Sequence, residues 1–349
     1  MNTIRLMDRP VGGGGSPFFV AELGICHGGD VAVALDLAAA AIEAGADCVK
    51  TETFNRANMV FDTAATCSYV IRGKRITEPL GEHMDRFSLT LEEHHRVKRL
   101  CEERGVPFMS TAHDFAAVDF LASIGAAAIK IASPDIVHYP LLRHAAASAL
   151  PVFLDTGSAL RHEVDMAVRT LRHAGCAGVV VNHNPAGHPA PAECHDLRIM
   201  QALRTMLDTP TGLADHYEGY EMLYAATALG ADCLEKPISL DRFVEEPERN
   251  WSITAADLPE VLRIVRETAL SLGRNERVLT PEQENYRNQN RMACCTARAV
   301  QAGEVLDFSS VIFGRPRRGI GVEHWDLVAG LRFSRDMGEQ EFITWGDIA

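Results

Sequence analysis

Short, nearly unbroken apolar runs recur along the chain about every 20–50 residues, and each ends in polar side chains. They are FFVAELG (18–24), DCVKTET (47–53), PFMSTAHD (107–114), AAIKIAS (127–133), PVFLDTG (151–157), GVVVNHN (178–184), TGLADH (211–216) and DCLEKP (232–237). Runs without apolar–polar alternation describe strands buried on both faces, as in a parallel sheet covered by helices. Alanine- and leucine-rich stretches lie between them. Eight such βα units over residues 17–273 predict a closed (β/α)8 TIM barrel rather than an open sheet.

The intervening segments carry helix punctuation. The stretch 31–46 is alanine-rich and stops near Gly45. In 88–105, Thr90 followed by Glu93 forms a capping-box pattern, and Gly105 lies past the end. In 252–273, Thr254 is the expected N-cap and Gly273 the stop. A long insertion, 54–88, separates the second and third runs. An insertion of that size over the C-terminal mouth of a barrel is usually functional. After Gly273 the chain turns polar, so 274–291 reads as a linker. Short alternating runs then predict a small β-rich domain over 292–349, a size marginal for independent folding. Residues 1–16 are expected to form an N-terminal hairpin around GGGG at 12–15. The last predicted strand is expected to break at Pro237.

Composition narrows the classes of partner. The 349 residues are 47% hydrophobic and carry a formal charge of −13. That sign argues against nucleic acid or anionic membrane as a partner. No apolar run approaches the roughly 18 residues of a membrane span, and the first residues lack the apolar core of a signal peptide. The nine cysteines are scattered, without a CxxC pair. Reduced thiols in a cytoplasmic protein fit this better than a disulfide framework.

In such a barrel the active site lies at the C-terminal ends of the strands. Those ends supply Glu22; Lys50 and Glu52; Ser110, Thr111, His113 and Asp114; Lys130 and Ser133; Asp155 and Thr156; His183 and Asn184; Asp215 and His216; and Glu235 and Lys236. Lys50 and Lys130 suit an anionic ligand such as phosphate plus carboxylate; the alternative is a pair of structural ion pairs with Glu52 or Glu235. His216 beside Asp215, with Glu22 across the barrel, is a candidate set for a divalent cation. The alternative is a hydrogen-bonding histidine.

Several of these motifs resemble the sialic acid synthase family, the phosphoenolpyruvate-dependent nonulosonate synthases. FFVAELGICHGGD is similar to the family's AEIG-x-NH-x-G, and EAGADCVKTETF to EAGAD-x-VKFQTF. MSTAHDFAAVDFLASIGAAAIKIASPDI, PVFLDTGSA and LADHYEGYEMLYAATALGADCLEKPISLDR resemble further family segments in order. ARAVQAGEVLDFSSVIFGRPRRGIG resembles the C-terminal antifreeze-like (SAF) domain. The resemblance implies condensation of phosphoenolpyruvate with the open-chain aldehyde of a sugar, often N-acetylmannosamine, to a 3-deoxy-2-keto sugar acid with release of phosphate. It implies a divalent metal, Mn2+ or Mg2+, with His216 as a ligand. Catalytic roles fall to Glu22, Lys50, Lys130 and Asp215. Substrate contacts fall to Ser110, Thr111, Ser133, Asp155, Thr156, His183, Asn184 and Glu235. It further implies a domain-swapped homodimer in which Arg315 reaches the partner's site.

The same comparison of motifs exposes departures. Where the family has its second metal-binding histidine, this chain has Pro237. The serine of STG is Asp155, the serine of SDH is Ala214, the glutamine of KFQTF is Glu52, and the asparagine of NH is Cys26. A carboxylate about 4 Å from a phosphate costs on the order of 4 kcal/mol at an effective dielectric near 20, so Asp155 is expected to weaken a phosphate site. The alternative for Asp155 is a rearranged metal shell with His183 or His113. Two other functions stand beside the main one. One is carbon–carbon chemistry with a donor lacking phosphate, using Lys50 or Lys130 for a Schiff base. The other is a non-catalytic paralogue that binds a sugar acid.

Overall fold

A computed structural model describes residues 3–242, 244–274 and 276–349. The chain divides after Gly273 into a large unit and a smaller one, Arg274–Ala349.

In the large unit, eight parallel strands close into a barrel: β1 (Phe18–Glu22), β2 (Cys48–Thr53), β3 (Phe108–Ala112), β4 (Ala128–Ile131), β5 (Val152–Asp155), β6 (Val179–His183), β7 (Thr211–Ala214) and β8 (Cys233–Ser239). Each pairs with the next in sequence, and β8 closes the ring on β1. The expected closed eight-stranded barrel is therefore present.

Alternation along each strand sorts the side chains into two cores. Phe18, Val20, Cys48, Met109, Phe153, Val180 and Cys233 point inward and pack together. Their neighbours Phe19, Val49, Leu154, Val181, Leu213 and Leu234 point outward against the helices. Two steps along the inward row lie Glu22, Lys50, Thr111, Lys130, Asp155 and Glu235, so the inner face turns from apolar to charged toward the C-terminal mouth.

Local signals account for the helices. Asp30 caps Val31–Ala44 by accepting from Ala32 N, and Gly45 ends it at φ 89°. Thr90 and Glu93 form the expected capping box on Leu91–Glu103. Three boundaries differ from the sequence reading. Thr254 belongs to a short strand, Ile253–Thr254, and the last barrel helix, Leu258–Leu272, starts after Asp257. The N-terminal hairpin pairs Ile4–Leu6 with Arg9–Val11 and turns at Met7–Asp8, ahead of the glycine run. Its Leu6 and Val11 join the inward core. Third, β8 does not stop at Pro237. It pairs with β1 as far as Pro237 opposite Glu22, then with Ile253–Thr254 through Ile238 and Ser239. Proline has no N–H to give a ladder, and it suits the point where β8 exchanges one neighbour for another.

The insertion holds a short helix, Arg56–Met59, an antiparallel hairpin, Thr66–Ile71 with Lys74–Pro79, and a helix, Leu80–Phe87.

In the smaller unit the expected linker contains a helix, Pro281–Asn290. Thr280 and Gln283 form a capping box there with Pro281 at the first turn, a start signal that outweighs the polar composition. Ala293–Thr296 and Val311–Gly314 pair antiparallel. Cys294, Leu306, Val311, Ile320, Phe333 and Ile343 form a separate apolar core.

Candidate active site

A cavity of about 430 Å³ opens at the C-terminal mouth of the barrel. Of the sequence-predicted residues it collects Glu22, Lys50, Thr111, Lys130, Ser133, Asp155, Asn184, His216 and Glu235, with Glu52 on the same wall.

Its floor is an ion cluster. Lys50 pairs with Glu22, lies 3.2 Å from Glu235 and 3.9 Å from Glu52, and donates to Thr111 Oγ1 at 3.2 Å. Lys130 reaches both carboxylate oxygens of Glu235 at 2.6 Å and Asp155 Oδ1 at 2.8 Å. Asn184 donates to the other Asp155 oxygen at 3.0 Å, and Gly157 N donates to Ser133 Oγ at 2.9 Å. Asp155 therefore sits on Lys130. His113 Nδ1 pairs with Asp135 and His183 Nε2 meets the His195 carbonyl, and among the described residues Asp155 belongs to no tight cluster of three potential metal ligands.

The electrostatics follow from burial of this cluster. Burial lifts Glu22 from the ordinary 4.5 to about 7, against the pull of Lys50 and with a push from Glu235. Burial also opposes ionisation of Glu235, yet Lys130 and Lys50 hold it down to about 2. Burial alone would lower both lysines. Glu22 and Glu235 instead hold Lys50 well above the ordinary lysine value, and Asp155 and Glu235 raise Lys130. Both are ammonium ions at neutral pH. Schiff-base chemistry, the alternative expected for Lys50 or Lys130, needs the neutral amine, which these carboxylate partners disfavour.

Strand parity separates the remaining predicted residues from the mouth. Ser110, Thr156, His183 and Asp215 sit on the outward row. Ser110 Oγ is fully buried between Thr51 and Thr53, 2.9 and 2.8 Å away. Thr156 donates to the Asn182 carbonyl. Thr156 and His183 line a neighbouring cavity of about 420 Å³, which shares Ser158, Asn184 and Ala186 with the mouth. Asp215 is fully buried against Lys236 at 2.6 Å and His195 at 3.1 Å, and it accepts from Tyr217 N. Its side chain lies behind the wall of the mouth, engaged by Lys236, His195 and Tyr217 N. Lys236, counted among the polar ends, belongs to the same outward pair. Arg315 lies in the smaller unit.

At the mouth and beside it lie further residues that were given no role from the sequence. Glu248 accepts from Ile25 N at 2.9 Å and from Cys26 Sγ at 3.7 Å, tying the loop after β1 to the segment before Ile253–Thr254. Burial, with Glu22 and Glu52 nearby, raises Glu248 well above the carboxylate range. Burial likewise brings Glu246 to about 7. His188, on the loop after β6, also lines the mouth, its ring centroid 4.3 Å from that of His216. Trp251 lies 5.6 Å from His188. These residues sit in segments without periodicity; only the unusual string EEPERNW marks part of them.

For a metal, His216 is suited in one respect: its Nδ1 is buried and has no hydrogen-bond partner among the described residues. Burial, then His188, lowers its pKa to about 3, so the ring is neutral. Pro237 offers no ligand atom. The described residues hold one tight cluster of three potential metal ligands, Cys67, Glu78 and His83 in the insertion. There Glu78 is already engaged by Tyr69 at 2.6 Å, by His83 at 2.8 Å and by Arg86, which matches its charge without a cation.

The chain resembles known proteins along most of its length. Residues 37–277 match the model described as NeuB family. An uncharacterized protein of Methanocaldococcus jannaschii is 29% identical over 351 residues, covering all of this chain and 99% of the relative. The N,N'-diacetyllegionaminic acid synthase of Legionella pneumophila is 28% identical, with 97% of each chain covered. The crystal structure of an N-acetylneuraminic acid synthetase from Leptospira borgpetersenii superposes with a TM-score of 0.73 at 25% identity, over 82% of this chain and 96% of that one. None of the described helices is long and apolar enough to cross a membrane.

Proposed function

The chain belongs to the NeuB family, and on that premise we propose that it joins phosphoenolpyruvate to the carbonyl of an aldehyde sugar, an acylamino-hexose or a relative of one. The product is a 3-deoxy-2-keto sugar acid. The observation that carries the reading is the pair of buried ammonium groups, Lys50 and Lys130, bridged by Glu235 on the floor of the mouth. Both lysines are held charged before a ligand arrives and can receive the anionic ends of a small donor, while their carboxylate partners leave the mouth net negative, so a bound cation would offset the donor's charge.

In this reaction C3 of the enol attacks the aldehyde carbon and forms the new C–C bond. Water adds at C2, the bond from C2 to the bridging ester oxygen breaks, and inorganic phosphate leaves with that oxygen, while the former aldehyde oxygen takes up a proton to become a hydroxyl. Lys50 and Lys130 hold the donor's carboxylate and phosphate, with Thr111, Ser133 and Asn184 at the rim. Glu22, with its pKa near 7, takes the proton from the attacking water. When bound, a divalent cation supplies polarisation of the acceptor carbonyl. On the same reading the smaller unit is an SAF-type domain, and Arg315 serves the mouth of a second copy in a domain-swapped homodimer.

A second reading draws on Asp155. Its carboxylate already occupies Lys130, which favours a donor with less charge, such as a 2-keto acid without phosphate. One experiment separates the two. Phosphate release and product mass are measured with phosphoenolpyruvate and a panel of aldoses and acylamino-hexoses, with divalent metal and with EDTA. Phosphate released only with a particular sugar supports the first reading and names the acceptor. No release with any sugar, alongside a condensation product from a 2-keto acid, selects the second.

A further inference from the structure

Two imidazoles meet at the mouth. His216 follows β7 and is buried, with Nδ1 facing no hydrogen-bond partner among the described residues. A buried imidazole nitrogen without a partner costs free energy unless something else satisfies it. His188 comes from the loop after β6 and lies edge-on to His216 with ring centroids 4.3 Å apart. Their meeting is imposed by the backbone. Ala190 N donates to the His216 carbonyl at 2.9 Å, so the loop that carries His188 is pinned to the residue it faces.

Both rings line the cavity that also holds Glu22, Glu52 and Glu235. Four carboxylates face two lysines there once Asp155 is included, and the excess negative charge favours a cation. Pro237, opposite Glu22 at the inward end of β8, contributes no donor.

We propose that His188 and His216 together bind a divalent transition metal at the mouth, with His188 supplying the second nitrogen that Pro237 cannot. Two neutral imidazoles favour Zn2+, Co2+ or Ni2+ over Mg2+, which prefers oxygen ligands. Mg2+, one of the two ions expected from the sequence, is thus the poorer match for this donor set. The purpose of the metal rests on the condensing-enzyme reading, but its binding does not, and the test is made without turnover.

The full chain is stripped with EDTA, dialysed and titrated with Co2+, followed by visible absorbance and calorimetry. The expected result is one Co2+ per chain, displaced by Zn2+ and not by Mg2+. His188→Ala and His216→Ala each weaken binding about tenfold or more. His188 lies on an exposed loop but packs edge-on to His216 and Trp251, so the melting temperature of His188→Ala is measured beside its Co2+ affinity, and His188→Phe, which keeps a ring without a ligand nitrogen, is expected to lose Co2+ equally. His83→Ala, in the insertion cluster, leaves Co2+ binding intact. Wild-type Co2+ affinity in His188→Ala, loss of Co2+ in His83→Ala alone, or no binding by the wild type would overturn the proposal. Metal binding without phosphate release from any sugar would leave it standing while removing the proposed reaction.

Discussion

The Asp155 carboxylate lies 2.8 Å from the Lys130 ammonium at the floor of the barrel mouth, and Glu235 holds the same ammonium from the other side. A donor phosphate directed at Lys130 must therefore compete with a protein carboxylate. Asp155→Ser removes that competitor and leaves Glu235 to keep Lys130 charged. Like-charge repulsion at this range is on the order of 4 kcal/mol, and about 1.4 kcal/mol already gives tenfold in affinity. Phosphoenolpyruvate is expected to bind Asp155→Ser about tenfold or more tightly than wild type by calorimetry. Unchanged affinity means the phosphate does not approach Lys130.

Glu22 predicts a pH limb. Burial brings its carboxyl to about 7, so near neutral pH it is divided between acid and carboxylate. As the group that takes a proton from water it acts when ionised. The rate of phosphate release should rise as pH increases through about 7 and level off above it. Glu22→Gln should lose that limb and about 10²–10⁴ in rate. A flat wild-type profile through this range argues for another base.

Asp215 predicts a stability effect. Its carboxylate is fully buried between Lys236 and His195, and burial is outweighed by the hydrogen bonds that hold its pKa below the ordinary value. Asp215→Ala strands a buried ammonium, a change worth about 3–5 kcal/mol of destabilisation. The expected outcome is a lower denaturation midpoint. Asp215→Asn, which keeps hydrogen bonds, should lie between the two. A variant as stable as wild type with a selective loss of turnover would place Asp215 in the catalytic group.

Much of the barrel is legible in the chain because strands buried on both faces must be continuous apolar runs. Lys50, Lys130, Glu22 and Glu235 are legible as a site because charged side chains end those runs. The period-two rule was available in the sequence as well, and it assigns Ser110, Thr156, His183 and Asp215 to the outward row. Pairing was harder to read. Lys130 meets Glu235 across 105 positions of sequence, and nothing local announces it. His188 sits in a loop without periodicity, and its place is set by one long-range hydrogen bond from Ala190. The helix Pro281–Asn290 was masked by polar composition, although Thr280, Pro281 and Gln283 spell its start.

Glu246 predicts that stability falls with rising pH. Burial lifts its carboxyl from the ordinary 4.5 to about 7, and one of its oxygens has no hydrogen-bond partner among the described residues. A carboxyl raised in the folded state favours folding fully below its unfolded value. That contribution is lost as pH rises through about 7. A tenfold change in an acid constant between the folded and unfolded chain is worth about 1.4 kcal/mol, so the melting temperature should drop between pH 5 and pH 8. Glu246→Gln should lessen that drop, the remainder coming from Glu22, whose carboxyl burial also brings to about 7. A wild-type melting temperature independent of pH over this range rules out an ionising buried Glu246.

The central claim is that Lys50 and Lys130 form the seat of an anionic three-carbon donor. The measurement that tests it most directly is calorimetric titration of phosphoenolpyruvate, with pyruvate beside it, into the wild-type chain and into Lys130→Ala. Phosphoenolpyruvate should bind the wild type more tightly than pyruvate does, and Lys130→Ala should lose that binding. Equal binding of phosphoenolpyruvate by Lys130→Ala and the wild type, or no binding by the wild type, would contradict the claim.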